Sequence, residues 1–133
     1  MRILAIDYGR KKIGVATADF ESKLAEPISV IRFENQEEAI KKISEVAKIE
    51  NAMTVVVGIS EGEMAKETKA FGEKLEKEIN IPVVFQDETL STREAQELSI
   101  NAQIKRKKRH NLEDAYAATL VLQSYLDSLT TDS

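Results

Sequence analysis

The apolar positions of this chain form two kinds of run, and their alternation predicts an α/β order of elements. Ile3 to Ile6 is an unbroken apolar stretch ending on Asp7, and a second run opens at Ile13 after Gly9 and three cations, so the spacing predicts a β-hairpin through Ala18. Ile28 to Phe33 predicts a third strand, with Pro27 at its start where a missing N–H does least harm, which completes a three-strand meander. Asn35 then precedes a helical repeat of Ala39, Ile40, Ile43, Val46 and Ala47, with Glu37 and Glu38 in the first turn where the helix dipole favours anions. Met53 to Val57 predicts a short buried strand ending in Gly58, of the kind a helical crossover delivers parallel to the first.

Ser60-Glu-Gly-Glu63 has the spacing of a capping box, and Met64, Thr68, Phe71, Leu75 and Ile79 mark one stripe of a second helix running to about Asn80. Ile81 to Phe85 reads as another buried strand, and it ends on Gln86-Asp87-Glu88, the second apolar strand to terminate in carboxylates. Ser91-Thr-Arg-Glu94 is a further capping box opening a short helix to about Ile100. A last helix starts near Asn111 and runs to about Leu129, so rich in Ala, Leu and Val around its circumference that it must pack closely on the sheet. No repeat, low-complexity tract or linker divides the chain, so residues 1–133 are expected to form one α/β domain.

Composition then narrows the chemistry. No apolar run approaches the ~20 residues of a membrane helix, and the first strand follows Met1 directly, so a soluble, cytoplasmic protein without membrane attachment is expected. The chain has no cysteine and one histidine, His110, which removes disulfides, thiol catalysis and the usual zinc and iron–sulfur ligand sets, so any metal must sit on carboxylates. The net charge of −4 is concentrated between residues 34 and 78, where eleven acids face seven bases. Elsewhere the charges balance and the cations cluster, at Arg10, Lys11 and Lys12 in the hairpin turn and at Lys105, Arg106, Lys107, Lys108 and Arg109. Such clusters set the local potential that a phosphate backbone meets. With Arg93, these are the candidate phosphate contacts.

Three acids stand where core packing does not place them: Asp7 ending the first strand, Glu88 ending the fifth, and Asp114 in the first turn of the last helix. Ligands of doubly wound sheets bind beyond the carboxyl ends of parallel strands, and Ala117 and Ala118 beside Asp114 let its helix approach that rim. Three converging carboxylates repel one another unless a cation sits among them, and a divalent ion on such oxygens serves phosphodiester hydrolysis. Each acid also has a plain alternative: Asp7 as a turn initiator, Glu88 as a surface acid, Asp114 as a partner of an Asn111 cap.

The segments Asp7-Tyr-Gly-Arg-Lys-Lys-Ile-Gly14-Val-Ala, Asp87-Glu88-Thr-Leu-Ser91-Thr92 and Asp114-Ala-Tyr-Ala-Ala-Thr-Leu-Val-Leu-Gln123-Ser-Tyr125-Leu resemble, in order and spacing, the three motifs of the YqgF family. Those bacterial proteins are described as candidate Holliday junction resolvases and as candidate nucleases that trim the 5′ end of pre-16S rRNA. The resemblance implies a three-layer α/β/α fold of RNase H type, with a five-stranded mixed sheet whose first three strands are antiparallel. It implies that Asp7, Glu88 and Asp114 are the catalytic acids and hold Mg²⁺ or Mn²⁺. The chain departs from the family pattern at Thr89, where arginine is common, and after Gly58, where the connection to the next helix is short.

The leading expectation is a metal-dependent nuclease acting on structured RNA, most directly pre-rRNA during ribosome biogenesis, with a resolvase of branched, four-way DNA as its nearest variant. A monomer would suffice for end trimming, whereas a four-way junction favours a homodimer. Two other classes compete. An ATPase of the actin and Hsp70 type opens on a similar hairpin but needs two such domains. A non-catalytic RNA-binding or ribosome-associated factor would keep the fold without turnover.

Overall fold

Ile3, Leu4, Ala5 and Ile6 have no exposed surface to speak of, and a strand buried on both faces needs neighbours on both edges and a layer on each side. The computed structural model, which describes residues 1–22, 24–87 and 113–131, supplies all of these. Strand β1 (Arg2–Tyr8) pairs antiparallel with β2 (Lys12–Asp19), which pairs antiparallel with β3 (Ala25–Arg32). Helix α1 (Gln36–Ile49) crosses to β4 (Ala52–Ile59), and α2 (Glu63–Ile79) crosses to β5 (Val83–Asp87), both strands parallel to β1. The sheet order is β3-β2-β1-β4-β5, a five-stranded mixed sheet with β1 at its centre. Helix α3 (Glu113–Thr131) is the last described element.

Strand alternation sorts the core into two layers. Leu4, Ile6, Ile13, Val15, Val55 and Val57 face one way and pack with Ala39 and Ile43 of α1 and Phe71 and Leu75 of α2. Ile3, Ala5, Ala16, Ala18 and Val56 face the other way and pack with Ala118, Val121, Leu122 and Leu126 of α3. Small residues dominate this second face of the sheet, which is the close approach that the alanine-rich final helix predicts. The result is the expected three-layer α/β/α arrangement.

The connections are made by local chemistry. The Asn35 side chain caps α1, its Oδ1 accepting from the Glu38 backbone N–H at 2.8 Å. Asn80 ends α2 in the left-handed region at φ 55°, with its N–H donated to the Glu76 carbonyl. In the hairpin turn a Cβ on Gly9 would stand 2.7 Å from the Lys12 carbonyl oxygen, so the tight reversal admits no side chain there.

Four elements differ from the sequence reading. β3 begins at Ala25, so Pro27 lies inside it, tolerated because β3 is an edge strand and its pairing with β2 shifts register between Val15 and Ala16. β4 runs one residue past Gly58, to Ile59. Ser60 therefore does not cap α2: its N-cap is Gly62, at φ 80° and without a side-chain hydrogen bond, because the short link from the strand spends Ser60 and Glu61 on the turn. β5 starts at Val83 and its Val83–Gln86 stretch is only half-buried, as befits the outer strand of the sheet. The predicted helix from Ser91 to Ile100 lies outside the described residues.

Because the Asn35 cap satisfies an otherwise orphaned first-turn N–H, Asn35→Ala should lower unfolding stability by about 1 kcal/mol and Asn35→Asp should restore most of it, read from urea denaturation midpoints.

Candidate active site

Asp7 is the last position of the central strand on the face covered by α3. Register gives it unusual neighbours: it lies opposite Gly14 of β2 on one side and Gly58 of β4 on the other. Cross-strand partners share a face, so the row Gly14–Asp7–Gly58 presents a carboxylate with no side chain beside it on either adjoining strand. Gln86 of β5 extends the same row beyond Gly58. Asp7 is partly buried and follows Ile3 and Ala5 on the face covered by α3.

The direction of α3 brings its first turn to the same rim. The Ala25 N–H donates to Gln123 Oε1 at 3.1 Å, and Ala25 pairs with Ala18, which pairs with Ile3, so Gln123 lies on the β3 side of the sheet at the level of the start of β1. Residues 118–122 of α3 are buried whereas 127–129 are exposed, so the half preceding Gln123 is the half that lies over the sheet. Nine helical residues span ~13.5 Å, close to the ~13 Å from Ile3 to Asp7 along a strand. The start of α3 therefore lies toward the Asp7 end of the sheet. β5 ends at Asp87 beside Ile59, at the same end of the sheet. Glu88, the next residue in the chain, lies outside the described residues, as do Arg93 and Lys105 to Arg109.

The basic turn is described in full. Arg10 Nε and Nη2 donate to the two Glu67 carboxylate oxygens of α2 at 3.1 and 3.2 Å, a bidentate pair spanning the hairpin and the helix. The Glu67 carboxylate, hydrogen-bonded to the guanidinium and opposite to it in charge, pushes the Arg10 pKa up from its ordinary value. Both side chains are exposed, so the pair orients the turn rather than stabilising the fold. Lys11 and Lys12 are exposed beside it.

Sequence reasoning missed the two glycine neighbours of Asp7 and the Glu67 partner of Arg10. The glycines were visible, but only register shows that both lie level with the carboxylate. Arg10 and Glu67 are far apart in sequence, and no periodicity links them.

The five-stranded mixed sheet of order β3-β2-β1-β4-β5 between helical layers is the fold of the RNase H-like class. Solved structures share the fold: a Thermus thermophilus RuvC in complex with a Holliday junction substrate aligns at a TM-score of 0.71 with 16% identity, covering 100% of this chain and 98% of that one. A fowlpox virus Holliday junction resolvase aligns at 0.61 with 17% identity, covering 96% and 99%.

The chain belongs to the family described as RuvX, Holliday junction resolvase, whose pattern matches residues 1–128. A Caldanaerobacter subterraneus protein named "Putative pre-16S rRNA nuclease" is 42% identical, with 96% of this chain and 97% of that protein covered. A Clostridium acetobutylicum protein of the same name is 38% identical, with 97% and 100% covered. Membership makes this chain a nuclease, a hydrolase of phosphodiester bonds. Among the described residues no helix is long and apolar enough to cross a membrane.

The glycine row yields a direct test. Gly58→Val would place a branched side chain level with Asp7, and under the catalytic role that the family resemblance implies for Asp7 a displacement of ~1 Å costs roughly 10²-fold in rate. Cleavage should fall by about that factor while the far-UV circular dichroism spectrum stays that of the parent.

Proposed function

We propose that this nuclease processes the 5′ end of pre-16S rRNA during ribosome biogenesis, cutting with Asp7, Glu88 and Asp114 around a divalent ion. The observation that supports the reading is the position of Asp7 at the glycine-flanked end of β1. The relatives named for pre-16S rRNA support the choice of substrate.

The donor set fits a hard cation. Carboxylate oxygens without thiolate or imidazole suit Mg²⁺ or Mn²⁺ and not zinc. When bound, such an ion supplies a water of lowered pKa and offsets charge on the departing 3′ oxygen. The chain's own part is positional. The row of Gly14 and Gly58 keeps adjacent side chains away from the space that a phosphodiester must enter. Lys11, Lys12, Arg93 and the run Lys105 to Arg109 meet the backbone phosphates of the strand, with Arg10 held in orientation by Glu67.

The family description also keeps a four-way DNA junction as a second substrate. The deciding assay incubates the protein with rRNA precursor, single-stranded RNA and four-way DNA junctions, with Mg²⁺, with Mn²⁺ and with chelator. Cleavage of the precursor should require metal and vanish in Asp7→Asn, which still binds RNA because it loses negative charge and no cation. Equal cleavage by both proteins would exclude Asp7 from the chemistry, and binding without cleavage by either would leave an RNA-binding factor.

The Arg10–Glu67 pair predicts opposite effects from its two halves. Arg10→Ala should weaken RNA binding and lower the slope of log K against log salt by about 1. Glu67→Ala should tighten binding, because it releases the guanidinium to phosphate. Anisotropy titrations across a salt series measure both.

A further inference from the structure

On the face of the sheet opposite Asp7, the same end of β1 opens into a cleft of about 370 Å³ between the hairpin turn, the β3–α1 junction and α2. This is within the ~300–1,000 Å³ range of small-molecule sites. Tyr8 and Phe33 form an aromatic wall, with ring centroids 6.3 Å apart, and Tyr8 stacks on Phe71 at 4.4 Å. The charges lining the cleft balance: Arg10 is paired with Glu67, and Lys74 is matched in number by Glu34. A balanced cleft is a poor phosphate site. It suits a planar, uncharged group that forms hydrogen bonds.

The polar groups are arranged for such a group. Lys74 Nζ donates to Gln36 Oε1 at 3.0 Å, and Gln36 Nε2 donates to the Tyr8 hydroxyl oxygen at 3.3 Å. Engagement of Oε1 by the ammonium fixes which way the Gln36 amide faces. The Tyr8 O–H is then turned away from Gln36, so it can donate into the cleft, and the second Gln36 amide hydrogen can do the same. These donors match the carbonyl and ring-nitrogen acceptors on the edges of purines and pyrimidines. Tyr8 directly follows Asp7, and strand alternation sends the two side chains to opposite faces at one strand end.

We propose that this cleft is a nucleobase subsite, which takes a base of the substrate strand next to the cleaved bond. The proposal rests on the reading of Asp7 as the cleavage centre, because it is the adjacency of Tyr8 to Asp7 that brings a neighbouring nucleotide within reach.

The test uses the full chain in chelator, where strands bind without being cut. The probes are single-stranded RNA and DNA oligomers of one sequence bearing 4-thiouracil or 4-thiothymine bases, and an abasic oligomer of the same length. Photocrosslinks should map to peptides containing Tyr8 or residues 33–36. Tyr8→Phe, which removes only the hydroxyl, and Gln36→Ala should each weaken binding of base-bearing oligomers about threefold to tenfold, the effect of one lost hydrogen bond. Binding of the abasic oligomer should not change. Lys69→Glu, an exposed position of α2 outside the cleft, should move base-bearing and abasic binding alike.

Equal effects of Tyr8→Phe and Gln36→Ala on abasic and base-bearing strands, or crosslinks confined to other peptides, would overturn the subsite even if Asp7-dependent cleavage is intact. Base-dependent binding in the cleft, together with cleavage that does not depend on Asp7, would overturn the cleavage centre and with it the placement of the base beside the cut bond.

Discussion

Everything in this fold is referred to the register of β1. Ile3, Leu4, Ala5 and Ile6 are buried on two faces of one strand, so the strand cannot slip without exchanging its layers. A shift by one residue would exchange Leu4 and Ile6 with Ala5 and Asp7, leaving holes beneath α1 and α2 and turning a carboxylate toward the aromatic cluster of Tyr8, Phe33 and Phe71. Burying an apolar side chain is worth ~1.5–3 kcal/mol, and an unpaired buried carboxylate costs more than that. The core therefore fixes the position of Asp7, although Asp7 contributes nothing to the core.

That constraint propagates outward. With β1 fixed, pairing on both sides sets Gly14 and Gly58 beside the carboxylate, and the alanines of the α3 face let the last helix lie close over it. The opposite face holds larger side chains and two helices, and its aromatic residues gather at the end of β1. The two faces thus offer different chemistry at one rim, a carboxylate on one side and an aromatic, hydrogen-bonding cleft on the other.

Much of this was legible in the sequence. Unbroken apolar runs gave the central strands, helical spacing gave α1 and α2, and the run of small residues forecast a final helix pressed against the sheet. Asn35 was legible as the residue before the helical repeat of α1, whereas its capping bond from the Glu38 N–H is seen only in the fold. The Ser60 box misled because its spacing is local, whereas the start of α2 is set by where β4 stops, and that depends on pairing with β1 and β5. The half-buried state of β5 was hidden for a similar reason: an apolar strand reads the same whether it has one neighbour or two. Of the site, Asp7 was conspicuous as an acid ending an apolar run, but its glycine neighbours and the hold of Glu67 on Arg10 are properties of register and tertiary packing.

The hold of Glu67 on Arg10 also bears on how a chain of net charge −4 would carry the proposed nucleic-acid site. Excess acid belongs to the α1 and α2 region, and there Glu67 neutralises a cation of the hairpin turn while leaving Lys11 and Lys12 exposed beside it. An exposed ion pair is weak enough to exchange for a phosphate, since water and salt already compete with it. Under the proposed role of the basic turn as a surface for a backbone, acid on α2 sets the orientation of Arg10 and leaves the turn's two lysines exposed.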